Sequence, residues 1–259
     1  MLKNLVGSLL LITMMALCLC SFALQLPHLR QVQFPSPAKI ISKDSGDIEC
    51  LARGSKDVVV LPAYDVSSIQ ILPNATAFDK TIDMCCSDNP TEVSMELLNA
   101  VRPQLRCSLC NFEDAEEGLV SLISRAVENM IHLSHLSPQS SHRHILQCRL
   151  TLITSVKCPK WHEDNVQYRL LQTLCGKGTE WVDPSRWEVR ALNYVLREII
   201  DRDAVVPSHL IRSARGGEVL IMRGKRGLNR NHLFSAPVLH RSPECSEGNP
   251  RLLLSISIP

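Results

Sequence analysis

The sequence has few aromatic residues and no excess of charge of either sign. Phe, Trp and Tyr make up 4% of the 259 residues, which is low for a surface that stacks on sugars or bases. The 28 basic residues against 26 acidic ones leave a net charge of +2. Because the chain lacks the basic footprint of a nucleic-acid-binding protein, we expect no nucleic-acid partner.

Two common catalytic motifs are also missing. The chain has no Gly-x-Ser-x-Gly elbow, so serine hydrolase chemistry has no support. The basic segment 224–230 lacks the spacing of a phosphate-binding loop. A hydrophobic fraction of 45% is nevertheless enough to form a core, which excludes a disordered chain. The length suits one large domain or two small ones.

The first residues predict a leader. Lys3 precedes an uncharged apolar run over residues 5–26, and residues 21–23 within this run offer a small-x-small cleavage site. This is the layout of a secretory signal peptide, which we assign to residues 1–23. The run is also long enough to span a membrane, so an anchor is the alternative. We expect entry into the secretory pathway and no membrane association after cleavage.

Residues 24–47 predict a linker or a transit-like segment. From Met1 to Lys43 the chain has four basic residues and no acidic one. Basic, acid-poor segments that contain Ser resemble organelle transit peptides. A signal peptide followed by such a stretch resembles the bipartite plastid leader of some algae, so the plastid is the alternative destination. An unstructured linker is the simpler interpretation.

Residues 48–144 predict a mixed N-terminal part with helices. Apolar residues recur at helical spacing in a segment that we expect to stop near Pro103, and again over residues 113–133. Short apolar runs at residues 58–61 and 69–72 predict strands.

The pattern changes at residue 145. Residues 145–259 contain many short apolar runs separated by Gly and Pro, which is typical of a sandwich or barrel of strands. One helix candidate interrupts them at residues 186–200. Together with the helical N-terminal part, this predicts an α+β fold.

A His-x-Asp pattern precedes one of these strands. His162 and Asp164 are two residues apart, and on extended backbone both side chains lie on the same face. The same alternation predicts that Glu163 faces solvent. Later in the chain come His240 and, eleven residues beyond it, Arg251 at the head of the last apolar strand.

Each of these residues also has a simpler interpretation. His162 could be a surface histidine in a charged loop, and Asp164 could cap a turn. His240 could lie at the end of a strand without a ligand. Arg251 could form a surface ion pair with a nearby glutamate, a contact that contributes little.

The order His-x-Asp, a long gap, His and then Arg resembles the non-haem iron oxygenases that consume 2-oxoglutarate. The resemblance implies that His162, Asp164 and His240 hold Fe(II) and that Arg251 binds the far carboxylate of the cosubstrate. It implies a C-terminal double-stranded β-helix, cupin-like or jelly-roll-like, on which the helical part packs. It also implies hydroxylation of an unknown small-molecule or side-chain substrate.

Several local strings resemble the family called domain of unknown function 1826. They are Cys-Pro-x-x-His-x-Asp at residues 158–164, Arg-Leu-Leu-x-Thr at 169–173, Gly-x-Gly-Thr-x-Trp at 176–181 and His-Arg-Ser-Pro at 240–243. The resemblance extends over roughly residues 90–259 and implies no reaction. A non-catalytic, zinc-binding cupin-like protein therefore stays open as the alternative function, as does a structural or interaction domain.

Overall fold

The computed structural model describes residues 46–85, 87–137, 145–155, 157–182, 206, 208–227 and 237–259. The predicted signal peptide and the helix candidate at residues 186–200 lie outside the described residues, as does the linker segment up to residue 45. No α-helix in the described ranges combines the length and hydropathy of a transmembrane span.

Helices dominate the first half of the described chain. α1 spans Gly46–Arg53, α2 spans Pro90–Ser108 and α3 spans Phe112–Leu136. α2 begins where the Asn89 side chain accepts a hydrogen bond from the backbone N–H of Thr91. Pro90 follows in the first turn, where a backbone N–H group would have no partner within the helix. The capping Asn89 and the proline therefore both favour a helix start at this point. The predicted helix over residues 113–133 is confirmed as α3.

Two local predictions are wrong. α2 does not stop near Pro103 but continues through it to Ser108. Leu98 and Leu105, on either side of the proline, are fully buried. Their burial compensates for the backbone hydrogen bond that is lost because proline has no N–H group. The expected strand at residues 69–72 is reduced to an isolated bridge between Ile71 and Leu109, because this segment pairs with the end of α2.

The strands form two antiparallel sheets. A six-stranded sheet has the order β1-β7-β4-β9-β3-β2, and a three-stranded sheet has the order β6-β5-β8. The predicted combination of helices with antiparallel strands is confirmed. The strands are β1 Val58–Leu61, β2 Phe78–Cys85, β3 Ile145–Ile153, β4 Tyr168–Cys175, β5 Glu180–Val182, β6 Ile211–Ser213, β7 Val219–Arg223, β8 His240–Arg241 and β9 Arg251–Ile258.

Alternation along the strands gives the large sheet two different faces. On β9, Leu252, Leu254 and Ile256 belong to the same hydrophobic core as the apolar residues of the helices. On the opposite face, Leu171 of β4 shares a second apolar cluster with Trp181 of β5 in the small sheet. The large sheet therefore has the helices on one side and the small sheet on the other.

The space between the two sheets is partly polar. On β9, Arg251, Ser255 and Ser257 alternate with the core residues and are all buried. Thr173 of β4, which pairs with Leu253 of β9, is buried on the same side. Buried polar side chains are costly unless they find partners, so this face of the sheet is where a binding site is expected.

Candidate metal centre

Backbone pairing brings the two predicted histidine ligands together. His162 and His240 exchange both backbone hydrogen bonds, each 3.0 Å long, in an isolated antiparallel bridge. On its other side β8 pairs with β5, where His240 lies opposite Trp181. The two imidazole rings consequently lie with their centroids 4.4 Å apart. Residues far apart in the sequence are thus held side by side by main-chain geometry.

Asp164 completes a cluster of three potential ligands. One ligand atom from each of His162, Asp164 and His240 lies within 4.8 Å of the others. Asp164 Oδ2 is 3.3 Å from His240 Nε2 and accepts a hydrogen bond of 3.0 Å from Arg169 Nε. The structure therefore brings together all three residues that the sequence singled out as metal ligands.

The segment that carries Asp164 is fixed by the turn after β7. Gly224 N donates to Gln167 O at 3.0 Å, and Lys225 N donates to Asp164 O at 2.9 Å. A Cβ atom at Gly224 would overlap the carbonyl oxygen of Val166. Because only glycine allows this close approach, Gly224 is required to hold the loop beneath the cluster.

Each histidine ring has its orientation set by a backbone carbonyl. Nδ1 of His162 lies 2.9 Å from Lys160 O, and Nδ1 of His240 lies 3.2 Å from Val238 O. A carbonyl oxygen can only accept, so both Nδ1 atoms carry a proton and donate it. In a neutral ring, Nε2 then carries the lone pair that a metal requires. Desolvation lowers the pKa of His162, and the neighbouring His240 lowers it further, so the His162 ring is neutral at pH 7.

Asp164 supplies a negative charge. Burial by itself raises the pKa of this carboxyl group, but the His240 ring and the Arg169 guanidinium outweigh burial and lower the pKa below its ordinary value. The group is therefore ionised at neutral pH. Imidazole nitrogens with one carboxylate oxygen form a donor set that suits Fe(II) and also Zn(II).

Arg251 is buried without a carboxylate partner among the described residues. It is 1% exposed, and its guanidinium donates to the hydroxyl groups of Thr173 at 3.0 Å, Thr179 at 2.5 Å and Ser242 at 3.4 Å. Desolvation lowers its pKa to about 10. A buried cation whose hydrogen-bond partners among the described residues are all neutral hydroxyl groups is costly, so this position favours an anionic ligand.

The guanidinium of Arg251 contacts the segment that carries His240. Ser242, which it contacts, follows His240 by two residues. On extended backbone, Cα atoms two residues apart are separated by about 7 Å. A small molecule could therefore contact both a metal at the cluster and the guanidinium of Arg251.

The prediction that Glu163 faces solvent is wrong. Glu163 is buried, and its Oε2 lies 3.5 Å from Lys225 Nζ. Strand alternation does not apply here, because His162 forms an isolated bridge and β4 begins only at Tyr168. Arg251 is likewise buried, so it does not form the surface ion pair that was its simpler interpretation.

Sequence reasoning did not single out Arg169, Thr173 or Thr179, whose side chains contact the predicted site residues. Arg169 contacts Asp164, while Thr173 and Thr179 contact Arg251. All three lie in the strings at residues 169–173 and 176–181 that carry the family resemblance. Their presence in those strings was a signal, but nothing in the residue types indicated which side chain each would contact.

The chain belongs to a family described as "Protein of unknown function (DUF1826)". The family model matches residues 73–256, more than half of the chain. This confirms the resemblance found in the local strings. No curated protein sequence matches the chain.

Several solved structures have a similar arrangement of elements. Dioxygenase for auxin oxidation 1 from Arabidopsis thaliana, in a 2-oxoglutarate complex, is 12% identical with a TM-score of 0.43, covering 82% of this chain and 86% of that one. The rice dioxygenase for auxin oxidation is 15% identical with a TM-score of 0.40, covering 83% and 79%. A 2OG-Fe(II) oxygenase family oxidoreductase from Burkholderia pseudomallei is 12% identical with a TM-score of 0.36, covering 86% and 96%.

Replacing Asp164 with Asn is expected to change the acid stability of the metal-free protein. A carboxyl group whose pKa is lower in the folded chain than in the unfolded chain stabilises the fold above its unfolded pKa. That stabilisation disappears as the pH falls through the folded pKa. At pH 6 with EDTA we expect the wild type to be more stable than Asp164→Asn by about 2 kcal/mol, a typical contribution of hydrogen bonds to a charged group. The difference should shrink below about pH 4, near the unfolded pKa.

Urea unfolding followed by circular dichroism measures both free energies across this range. Asp83→Asn, at an exposed position on β2, serves as the matched control and should show no such trend. A stability difference for Asp164→Asn that stayed constant from pH 6 to pH 3 would contradict the electrostatic interpretation of this carboxylate.

Proposed function

We propose that the chain is a non-haem Fe(II)- and 2-oxoglutarate-dependent oxygenase that hydroxylates a small molecule or a side chain. In this proposal His162, Asp164 and His240 hold the ferrous ion, and Arg251 binds the far carboxylate of 2-oxoglutarate. The observation that carries the proposal is the burial of Arg251, without a carboxylate partner among the described residues, beside the segment that bears His240.

The donor atoms of the cluster fit a ferrous ion. Both rings present Nε2, because their Nδ1 atoms donate to backbone carbonyls, and Asp164 is ionised. Two imidazoles and one carboxylate leave coordination positions open for small ligands. When bound, Fe(II) supplies the activation of dioxygen, with 2-oxoglutarate as the co-reductant that is converted to succinate and carbon dioxide.

Arg251 fits the far end of a keto dicarboxylate. An arginine fork can bind a carboxylate through two parallel hydrogen bonds, and a desolvated fork binds it more strongly than an exposed one. The hydroxyl groups of Thr173 and Thr179 hold the guanidinium in one orientation without neutralising it. Its position near His240 means that a keto acid bound to the metal could also bind Arg251.

We also propose that the two sheets form a double-stranded β-helix on which the helical N-terminal part packs. Two observations support this: Trp181 of the small sheet and Leu171 of the large sheet share one apolar cluster, and the candidate ligands lie on β8 and on the segment before β4. Such a barrel would exclude water from the metal while leaving one end open to a substrate.

A non-catalytic zinc protein is the alternative function. The same ligands suit Zn(II), which commonly binds His nitrogen and carboxylate oxygen. A zinc site requires no buried cation beside it, whereas a 2-oxoglutarate-dependent enzyme requires one to bind the far carboxylate of its cosubstrate. The two functions therefore differ in what they predict for Arg251.

Removing either imidazole is expected to remove the metal. His162→Ala and His240→Ala should each weaken Fe(II) or Co(II) binding by more than about 100-fold, because loss of a ligand costs more than loss of a residue that supports a ligand. Anaerobic equilibrium dialysis with metal analysis measures the affinity, and circular dichroism checks the fold. His209→Ala, at an exposed histidine, is the matched control. Wild-type affinity in both ligand variants would eliminate the site.

Removing the guanidinium of Arg251 is expected to weaken cosubstrate binding strongly and to leave metal binding unchanged. Truncating one partner of a buried charge pair costs about 2–5 kcal/mol. Arg251→Met should therefore weaken 2-oxoglutarate binding by a factor of about 30 or more. Anaerobic titration of the Fe(II) protein, followed by the weak visible charge-transfer band of the chelate, measures this affinity.

Arg212→Met, at an exposed arginine on β6, is the control for this titration and should keep the wild-type affinity. A wild-type protein that binds Fe(II) but gives no band, and forms no succinate in air, would favour the non-catalytic alternative. A band that survives unchanged in Arg251→Met would show that another residue binds the cosubstrate.

A further inference from the structure

Arg169 lies at the start of β4, one of the inner strands of the large sheet. It pairs with Met222 on β7 and with Ser257 on β9, so its backbone is fixed on both sides. Alternation places its side chain on the same face as Leu171, which is the face toward the small sheet. From there its Nε donates to Asp164 Oδ2 at 3.0 Å, and both side chains are largely buried.

We propose that Arg169 is a positioning residue that fixes the carboxylate of Asp164 as a metal ligand. By holding Oδ2 through the Nε–H group, it would turn the carboxylate so that a single oxygen faces the metal. This inference rests on the proposed function, because without a metal at the cluster the contact is an ordinary ion pair.

Each of the other two candidate ligands is already oriented by a hydrogen bond to the backbone. The ring of His162 is oriented by the carbonyl of Lys160, and the ring of His240 by the carbonyl of Val238. Residues that hold a ligand in this way raise metal affinity by about 10–100-fold. For Asp164 the hydrogen bond from Arg169 has the same role.

The carboxylate of Asp164 is not oriented by its backbone. The hydrogen bond from Lys225 N holds the carbonyl oxygen of Asp164 but leaves the rotation of the side chain undefined. His240 Nε2 also contacts Oδ2, at 3.3 Å, but this atom must turn its lone pair to the metal when a metal binds. Among the described contacts of Oδ2, the hydrogen bond from Arg169 is then the one that remains.

If only the charge of Arg169 mattered, removing it would strengthen metal binding, whereas a positioning role predicts that metal binding weakens. If Arg169 served only to neutralise Asp164, any uncharged replacement would free the carboxylate and relieve repulsion of a divalent cation, and metal binding would strengthen. If Arg169 acts through its Nε–H group, the outcome depends on the atom at that one position. Gln places an amide nitrogen where Arg has Nε, and Met places a methyl group there, so this pair of variants isolates the donor.

The test is Co(II) titration of the EDTA-treated full-length protein, wild type and variants, with Kd and the visible ligand-field spectrum as readouts. Arg169→Met is expected to weaken Co(II) binding about tenfold or more and to alter the spectrum. Arg169→Gln is expected to stay within about threefold of the wild type with an unchanged spectrum, since it keeps the donor. A merely structural role for Arg169 would not separate the two variants in this way.

The inference is overturned if Arg169→Met binds Co(II) as tightly as the wild type, or if the Gln and Met variants are weakened equally. Should Arg169→Met fail to fold, Arg169→Leu replaces it, because Leu is also uncharged and has no donor at the position of Nε. Gln binding more tightly than Leu then supports the inference, and equal or weaker binding by Gln overturns it. A wild-type protein that binds no Co(II) would refute the proposed function itself, and the inference with it.

Discussion

The backbone bridge between His162 and His240 is the constraint on which the candidate site depends. Because the two residues exchange both main-chain hydrogen bonds, their backbones lie side by side, and the ring centroids are 4.4 Å apart. Ser242 follows His240 by two residues. The bridge therefore also positions the hydroxyl group that accepts a hydrogen bond from Arg251. The two candidate histidine ligands and one contact of the candidate cosubstrate residue thus lie on or next to the same backbone bridge.

A protein that only needed a stable core would not bury Arg251 as this one does. A hydrophobic residue of similar volume at that position would avoid the cost of desolvating a guanidinium that lacks a carboxylate partner among the described residues. Two threonine hydroxyls and one serine hydroxyl hold the side chain in place but carry no charge. The burial of Arg251 among these hydroxyl groups therefore supports the proposal that its guanidinium binds a negatively charged ligand.

The proximity of His162, Asp164 and His240 was predictable from their spacing and order along the chain. His162 and Asp164 are two residues apart, and His240 and Arg251 follow in the order of a known class of enzyme. The contacts that hold these residues were not predictable, since Arg169 reaches Asp164 only through tertiary packing. The wrong prediction for Glu163 has the same origin: alternation requires regular pairing, and the local pairing is a single bridge.

The presence of helices and strands was predictable from the sequence, but the ends of several of these elements were not. Helical periodicity found α3, but the proline rule ended α2 too early, because burial of Leu98 and Leu105 outweighs one missing hydrogen bond. β2 has no clear apolar alternation because it lies at the edge of the large sheet and is largely exposed. Local rules fail at such positions, where tertiary contacts decide the structure.

The most direct test of the account is anomalous diffraction at the iron edge from anaerobic crystals that contain Fe(II) and 2-oxoglutarate. The account predicts one iron peak about 2.0–2.2 Å from His162 Nε2, His240 Nε2 and one oxygen of Asp164. It also predicts that the far carboxylate of the cosubstrate is bound by Arg251. An iron peak away from these three residues, or a cosubstrate carboxylate that does not contact Arg251, would contradict it.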